Sequence, residues 1–316
     1  MEHTEQYFQE WIDEVHVNEC SVMNHAKDFD KPLNKAWKSL ETLFLLKALA
    51  LVDATTLTGD DTITNVSSLV NKVIIFKYYL PEFKCDSTKT VRVAAICVYP
   101  SFVKEVHLTF QLIDDLHFIP IAAVAAGFPS GLYDIDSKIK EISFALASGA
   151  TEIDIVISRY LVIGHRWREL YEEIRTLKHT CGKAKMKTIL SVGECGSLEN
   201  IYKASLVAMM AGSDYIKTST GQEKINATFP FGLVMCRAIN NFYIKTNKKV
   251  GFKPAGGIRT ANDALKWIRL ILIELGPDWL SLFRIGASGV LSIVCIVKNY
   301  ENFVSVLSSP QHLSHK

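Results

Sequence analysis

Several features that define common classes of protein are missing from this sequence. The seven cysteines are odd in number and scattered, and none stand at CxxC spacing, so neither a disulfide framework nor a zinc site is indicated. No uninterrupted apolar run reaches the roughly 18 residues that a membrane-spanning helix needs. The acidic start has neither the basic nor the apolar region of a secretory signal peptide. We therefore expect a cytoplasmic protein with no membrane partner.

The chain also lacks an excess of charge of either sign. Lys and Arg number 35 against 33 Asp and Glu, which gives a formal net charge of +2. So small a net charge provides no long-range attraction to nucleic acid, and we expect no nucleic-acid partner. Any charged ligand must then be bound by a local site. The hydrophobic fraction of 48% is enough for a sizeable core and excludes a disordered chain.

Eight short apolar or β-branched runs recur along the chain, and segments with helical periodicity separate them. The runs are LALVDAT, VRVAAICVY, IPIAAVAAG, TEIDIVI, MKTILSVG, DYIKTS, KVGFKP and FRIGAS. Alternating strands and helices predict a parallel sheet and an α/β fold. A doubly wound open sheet is one alternative, but neither GxGxxG nor GxxxxGK(S/T) follows the first run. Eight units favour closure into a (β/α)8 TIM barrel.

The length allows one domain or two. At about 150 residues per domain it suggests two, but a single α/β barrel of about 250 residues fits it equally well. The even rhythm of strands favours one barrel over residues 45–306. The mixed, polar residues 1–44 are predicted to form an N-terminal helical extension, and residues 307–316 a C-terminal tail.

Alternation along the strands predicts which side chains point into the barrel. The isoleucines of TEIDIVI form one row suited to packing against the outer helices, so Glu152, Asp154 and Val156 face inward. At the fifth run, Lys187 and the preceding Lys185 share one face, and at least one lysine therefore points inward too. Buried charges are costly unless they are paired, so we expect these groups to contact one another.

Lys217 and Lys253 stand one βα unit apart, each at the C-terminal end of its strand. Adjacent parallel strands run about 4.8 Å apart, which places the two ammonium groups within several ångströms. Such proximity lowers the pKa of one lysine from about 10.4 toward neutrality, and a neutral amine attacks carbonyls. Asp154 would neutralise the remaining charge or carry protons. A buried ion-pair network that merely closes the barrel is the alternative interpretation.

Two glycine-rich loops follow the seventh and eighth runs, AGGIRT and GASG, and each precedes a helical segment. Backbone N–H groups at helix N-termini bind phosphate, and TIM barrels commonly hold phosphate in the loops after strands seven and eight. Together with a reactive lysine, the loops predict a Schiff-base enzyme acting on a phosphorylated carbonyl compound. The loop residues concerned are Gly256, Gly257, Arg259, Gly286, Ser288 and Gly289.

Six motifs, in this order, resemble those of the deoxyribose-phosphate aldolases of eukaryotic type. They are VDATTLTGDDT, AAICVYP, VAAGFPSG, GATEIDIVI, DYIKTSTG and VGFKPAGGIRT, and they span roughly residues 45–290. The resemblance implies a class I aldolase on a (β/α)8 barrel, with no metal and no cofactor. It implies a phosphosugar substrate, 2-deoxy-D-ribose 5-phosphate, cleaved reversibly to D-glyceraldehyde 3-phosphate and acetaldehyde in deoxyribose phosphate catabolism.

The same resemblance implies individual roles. Lys217 in IKTSTG resembles the Schiff-base lysine, Lys253 in FKPAGG the second lysine that tunes it, and Asp154 in EIDIV the proton-relay carboxylate. The residues implied to bind substrate are Asp53, Cys97, Lys187, Thr220, Gly221, Gly256, Gly257, Arg259, Gly286 and Ser288.

The sequence departs from the family pattern at two positions near the phosphate loops. Gln222 stands where the family often has a lysine, and Gly289 stands where many members have a hydroxyl side chain. Both changes remove side-chain donors while the backbone donors stay, so we expect weaker phosphate binding with intact chemistry. The tail also lacks the terminal tyrosine of some bacterial members, and closure of the site by the tail is not predicted.

Two other functions stay open from the sequence. A non-catalytic barrel that binds phosphosugars or protein partners is disfavoured because Lys217, Lys253 and Asp154 are all present, and such costly charges are commonly lost first. A metal-dependent sugar-phosphate enzyme would need a ligand cluster that the spacing of the nine histidines does not provide. A homodimer is one assembly that the sequence allows.

Overall fold

Helices and parallel strands alternate along the chain in the computed structural model, which describes residues 7–32, 41–79, 92–112 and 119–288. The strands are β1 Val52–Thr55, β2 Ala95–Val98, β3 Ile121–Ala125, β4 Glu152–Val156, β5 Lys185–Ile189, β6 Tyr215–Lys217, β7 Gly251–Lys253 and β8 Ile285–Ala287. The helices are α1 Phe8–Asp13, α2 Glu19–Asp30, α3 Glu41–Ala50, α4 Ile63–Tyr79, α5 Val103–Gln111, α6 Ile135–Ala147, α7 Arg159–Ile163, α8 Trp167–Cys181, α9 Leu198–Met210, α10 Phe229–Thr246 and α11 Ala261–Glu274.

The eight strands form one parallel sheet that curls into a barrel. Neighbours in the sheet follow the order β7-β6-β5-β4-β3-β2-β1-β8. Two isolated parallel bridges, Phe252 with Phe283 and Ala255 with Gly286, join the edges next to β7 and β8. The predicted (β/α)8 barrel with helices before its first strand is confirmed.

Gly286 is needed where the two edges meet. A Cβ at this position would lie 2.8 Å from the Cβ of Ala255 and 3.3 Å from the Cε of Lys253. Contacts this short require backbone or buried side chains to shift, so a residue without a side chain allows β8 to approach β7. The first glycine of the GASG motif therefore has a packing role.

Local capping fixes where the helices around the barrel begin. Asp134 accepts a hydrogen bond from Ser137 N at the start of α6, and Ser197 accepts one from Asn200 N at the start of α9. Thr260 and Asp263 form a capping box at the start of α11, directly after the AGGIRT loop. These caps hold the loops that lead into the helices, and the loops at this end of the barrel carry the candidate site.

Helix α2 packs on the outer face of the barrel, against α10 and α11. Phe29 is buried there with its ring 6.1 Å from that of Phe229. Lys266 and Arg269 of α11 donate to the backbone carbonyls of Asp30 and Asp28. Helix α2 therefore covers the helices that follow β6 and β7.

The predicted segment limits differ from the structure in one place and stay predictions in others. Leu49 and Ala50, placed in the first strand by the sequence, are the last residues of α3. A short apolar run fits a buried strand and a buried helix equally well, which explains the difference. The predicted domain limit between residues 44 and 45, which falls within α3, stays a prediction. Residues 33–40, Gly289 and the tail lie outside the described residues.

Two apolar regions surround the barrel wall. The larger lies between the strands and the outer helices and includes Ile153 and Ile155, the outward row predicted for β4. A small cluster on β2 and β3 lies inside the barrel, and the remaining interior is charged. Within the described ranges, no helix is long and apolar enough to cross a membrane.

Candidate active site

Strand register brings the predicted reactive side chains to neighbouring positions. Asp154 of β4 pairs with Lys187 of β5, and Lys217 of β6 pairs directly with Lys253 of β7. Directly paired residues of a sheet point to the same face, and here that face is the barrel interior. Lys217 and Lys253 are the last residues of their strands, so their amines lie toward the end of the barrel that carries the loops.

Asp154 is the centre of the buried charges. Its Oδ1 accepts from Lys187 Nζ at 2.7 Å, and its Oδ2 accepts from both Lys253 Nζ at 2.8 Å and Lys217 Nζ at 3.0 Å. All four residues are buried. One carboxylate therefore links the three predicted lysines.

A second set of charges lies beside this centre. Asp53 Oδ2 contacts Lys253 Nζ at 2.5 Å, and Asp53 Oδ1 accepts from Arg284 Nη1 at 2.6 Å. Arg284 Nη2 also donates to Glu152 Oε1 at 3.0 Å, while Glu152 Oε2 lies 2.7 Å from Lys187 Nζ. Each buried charge thus has an opposite charge at hydrogen-bond distance, as the cost of burying ions requires.

The same surroundings give the lysines different acidities. Burial, and next the positive charge of Lys253, lower the pKa of Lys217 below that of an ordinary lysine. Burial opposes the ammonium form of Lys253 as well, but the carboxylates of Asp154 and Asp53 outweigh it and raise its pKa. The three neighbouring carboxylates raise the pKa of Lys187 in the same way, against its burial. The sequence predicted a lowered pKa for one lysine of the pair, and in the structure this lysine is Lys217.

Lys217 lies at the wall of a cavity of about 430 Å³ at the loop end of the barrel. The lining residues include a lysine and the two glycine loops, and the predicted ones among them are Lys217, Thr220, Gly221, Gly256, Gly257, Arg259, Gly286 and Ser288. The predicted residues Asp53, Cys97, Asp154, Lys187 and Lys253 do not line this cavity and are fully buried. Asp154 contacts Lys217, Lys187 and Lys253, and Asp53 contacts Lys253, so this buried group adjoins the cavity through Lys217.

Free backbone donors are present in the loops after β7 and β8. Among the described residues, no acceptor contacts the amide N–H groups of Gly257 and Ser288, whereas the bridge between Ala255 and Gly286 uses the amide of Gly256. Gly256 has φ +83°, and a Cβ there would lie 2.6 Å from Asn226. Only glycine fits that position without strain.

The loop after β6 contains a contact that the sequence did not predict. Glu223 accepts hydrogen bonds from Thr220 N at 3.0 Å and from Gly221 N at 3.2 Å. Thr220 and Gly221 are predicted to bind substrate, and their backbone amides are already bonded within the loop. Gln222 reaches across the cavity mouth and donates from Nε2 to Leu57 O at 2.8 Å. The signal for Glu223 was its place two residues after a turn glycine, where a carboxylate can cap its own loop.

Arg284 and Glu152 are also charged residues of this region that were not among the predicted site residues. Arg284 has the same strand parity as Gly286, so the alternation that placed Asp154 inside the barrel would have placed Arg284 there. Its guanidinium lies 5.6 Å from the ring centre of Tyr215 on the neighbouring interior wall.

Cys97 belongs to the apolar side of the interior. It packs with Ala122, Val124 and Leu57, and Phe128 lies against the same cluster. Burial, and next the charge of Asp154, raise the pKa of its thiol, so the thiol form is favoured. The interior therefore has a charged side, from β4 to β8 and β1, and an apolar side on β2 and β3.

Comparison with known proteins identifies the class to which a lysine-centred barrel of this kind belongs. Residues 47–292 match the model of the DeoC/LacD family aldolases, and the chain belongs to this family. It is 48% identical over 291 residues to "Deoxyribose-phosphate aldolase" of Mus musculus, with 89% of each chain covered. It is 47% identical over 290 residues to the protein of the same name of Homo sapiens, again with 89% of each covered.

A solved structure agrees with the fold. The crystal structure of a putative deoxyribose-phosphate aldolase from Toxoplasma gondii superposes with a TM-score of 0.69, at 22% identity, and covers 84% of this chain and 97% of its own. At that identity the likeness is one of fold.

Proposed function

We propose that this chain is a class I deoxyribose-phosphate aldolase that uses Lys217 as its nucleophile. It cleaves 2-deoxy-D-ribose 5-phosphate reversibly to D-glyceraldehyde 3-phosphate and acetaldehyde. One observation carries the proposal: the amine with the lowered pKa is also the lysine of the buried cluster that lines the cavity. The names of the mouse and human relatives support the choice of substrate.

The reaction begins at the Lys217 amine. Its neutral form has a free electron pair that attacks the aldehyde carbon, C1, of the open-chain sugar, and loss of water then leaves an iminium ion. Asp154 Oδ2, at 3.0 Å, is placed to stabilise the positive charge that forms on this nitrogen. Burial excludes bulk water and makes that interaction stronger than it would be at the surface.

Cleavage occurs at the C2–C3 bond, because the C1 iminium accepts the electron pair of the bond next to its α-carbon. The C3 hydroxyl loses its proton and becomes the aldehyde of glyceraldehyde 3-phosphate, while C2 becomes part of an enamine on Lys217. Protonation of C2 and hydrolysis of the iminium release acetaldehyde and restore the amine. Asp154 and Lys253, joined at 2.8 Å, are the groups proposed to move these protons.

The phosphate is held at the other side of the cavity. The amides of Gly257 and Ser288 supply N–H groups that no described acceptor contacts, and Arg259 lines the same cavity. The AGGIRT loop leads into the N-terminus of α11, whose dipole favours an anion. Binding the phosphate away from the reacting carbons orients them toward Lys217 and contributes to the rate by positioning.

Trapping the iminium tests the proposal. The protein is incubated with acetaldehyde, reduced with borohydride, and the modified lysine is located by mass spectrometry. We expect the added mass on Lys217, and its loss together with aldolase activity in Lys217→Arg. The exposed Lys185 on β5 is an internal control and should stay unmodified at low aldehyde concentration. No adduct, or activity that EDTA abolishes, would contradict the proposal.

Two expectations from the sequence remain predictions about the protein as a whole. The cytoplasmic location is tested by imaging a fluorescently tagged chain. A homodimer is tested by sedimentation or light scattering, with a monomeric mass as the contradicting result.

A further inference from the structure

The buried charges of the barrel interior do not balance. Three carboxylates face four basic groups, and all seven residues are buried: Asp53, Glu152 and Asp154 against Lys187, Lys217, Lys253 and Arg284. If every basic group were protonated and every carboxylate ionised, the interior would carry one excess positive charge. An uncompensated charge in a dry interior is costly, and in practice such a group gives up its proton.

The contacts identify the group that loses the proton. Lys187 Nζ lies within 3.5 Å of three carboxylates, and Lys253 Nζ lies within 2.8 Å of two. Arg284 contacts Asp53 and Glu152 and stays protonated in proteins because of its high intrinsic pKa. Lys217 contacts one carboxylate among the described residues, Asp154, and shares that oxygen with Lys253. It is the amine with the least compensation.

We propose that Arg284 is a positioning residue for the aldolase. Its positive charge pairs with Asp53 and Glu152, so these two carboxylates compensate the lysines less. Lys217 is then the lysine whose positive charge is least compensated, and it reacts as the free amine. The inference rests on the proposed function, since it takes Lys217 as the nucleophile. Arg284 acts at a distance and touches no reacting atom. Its influence passes through Asp53, whose Oδ1 contacts Arg284 while Oδ2 contacts Lys253.

Every interior charge near Lys217 enters this balance. Three groups act on Lys217 directly: Lys253 of β7, Asp154 of β4 and the Cys97 thiol of β2. Lys187, Asp53, Glu152 and Arg284 are joined to them by ion pairs. The carboxylate of Glu223, in the loop after β6, is bonded to the amides of Thr220 and Gly221 and lies outside these ion pairs. Strand β3 contributes the apolar Ala122 and Val124. The thiol is neutral because burial raises its pKa, so the balance depends on the three carboxylates and four basic groups.

Removing Arg284 changes where a proton is held. The remaining three basic groups then match three carboxylates, so Lys217 can keep its proton at no net charge. Glu152 could take up a proton instead, but an amine binds a proton at a pH about six units higher than a carboxylate does. The proton therefore goes to Lys217, and the amine becomes free only at higher pH.

Charge-changing variants test this through the pH profile of kcat/KM. On the acidic side of its maximum, here called the acidic limb, kcat/KM falls where an essential base of the free enzyme takes up a proton. Arg284→Gln should move the acidic limb to higher pH by about one unit or more. At pH values below the limb, kcat/KM should therefore be about tenfold lower than in the wild type. Glu152→Gln removes a carboxylate and should move the limb to lower pH. The double variant Arg284→Gln with Glu152→Gln restores an excess of one and should return the limb to its wild-type position. Arg284→Lys keeps the charge and should leave the limb in place.

A matched control is available on the other side of the barrel wall. Lys138 is as buried as the interior lysines and pairs with Glu173 at 2.9 Å, outside this network. Lys138→Met should lower stability without moving the limb, which separates a loss of structure from a change of charge. If Arg284→Gln does not fold, Glu152→Gln and the double variant still oppose each other and carry the test.

The outcomes separate the two proposals. Failure of wild-type Lys217 to trap acetaldehyde would overturn the proposed function. If wild-type Lys217 does form the adduct, an unmoved limb in Arg284→Gln, or a double variant that does not return toward wild type, would overturn the role of Arg284 alone. Opposite displacements in the single variants with restoration in the double variant are the expected result.

Discussion

Lys217 and Lys253 donate to the same oxygen, Oδ2 of Asp154, at 3.0 and 2.8 Å. They differ in what else surrounds them, because Lys253 also contacts Asp53 at 2.5 Å. Burial and the charge of Lys253 lower the pKa of Lys217, while the two carboxylates raise that of Lys253. Before substrate binds, Lys253 is thus held as the protonated cation, and Lys217 becomes the free amine that a Schiff base requires.

Removing the Lys253 cation should make Lys217 less reactive at neutral pH. In Lys253→Met the repulsion that lowers the pKa of Lys217 is gone, so we expect that pKa to rise and the trapping of acetaldehyde at pH 7 to fall about tenfold or more. Mass spectrometry after borohydride reduction measures it. Raising the pH should recover part of the labelling in Lys253→Met. Equal labelling of wild type and variant across the pH range would contradict the prediction.

Asp154 is predicted to serve both chemistry and stability. Asp154→Asn removes the charge that contacts three lysines, and we expect kcat to fall by about 10²-fold or more as proton transfer is lost. Leaving buried ammonium groups without their partner should also cost about 3–5 kcal/mol of the free energy of unfolding. Urea unfolding and steady-state kinetics measure the two effects. Asp136→Asn, in the exposed first turn of α6, is the control and should change neither.

Strand alternation and the positions of strand ends were enough to predict the central cluster. Asp154 follows from its parity in β4, and Lys217 and Lys253 follow from their places at the ends of β6 and β7. These are properties of a single strand or of two adjacent ones. The parallel sheet turns them directly into spatial neighbours, which is why sequence reasoning succeeds for them.

Other parts depend on packing that no local pattern specifies. The two carboxylate oxygens of Asp53 contact different residues, Arg284 and Lys253, which lie at least 200 positions later in the chain. The use of the Thr220 and Gly221 amides by Glu223 depends on how one loop folds back on itself. The sequence at Leu49 and Ala50 is compatible with a strand or a helix, and tertiary contacts determine that these residues belong to α3.

Acid should destabilise the protein through its buried carboxylates. Burial alone would raise the pKa of Asp53 and Asp154, but the neighbouring lysines and, for Asp53, Arg284 outweigh it and hold both well below the usual range. Their stabilisation is therefore complete above the unfolded value of about 4 and is lost as the pH falls through and below it. Urea unfolding between pH 5 and pH 3 should show the free energy of unfolding falling steeply as the pH falls. A free energy independent of pH between 5 and 3 would contradict this.

Helix α2 should contribute to the stability of the barrel without taking part in the chemistry. Phe29 is buried beside Phe229, and Arg269 of α11 lies 5.8 Å from its ring centre. Phe29→Ala leaves a cavity there and should lower the free energy of unfolding by about 3–5 kcal/mol. The partly exposed Met23 on the same helix provides the control, and Met23→Ala should cost little. Trapping at Lys217 in the cold should be retained in Phe29→Ala, and its loss in a folded variant would show a role beyond packing.

Gln222 and Gly289 should weaken the binding of the phosphate. Gln222 lines the cavity but uses its amide to reach Leu57 O at 2.8 Å, and Gly289, outside the described residues, has no side chain to donate. The double variant Gln222→Lys with Gly289→Ser adds a positive charge and a hydroxyl near the glycine loops, so we expect a lower KM for 2-deoxy-D-ribose 5-phosphate and an unchanged kcat. Kinetics with unphosphorylated 2-deoxy-D-ribose are the control, because a gain that comes from the phosphate should be absent there. Gln222→Ala separates the contribution of the Leu57 contact, and an unchanged KM of the double variant for the phosphorylated sugar would contradict the prediction.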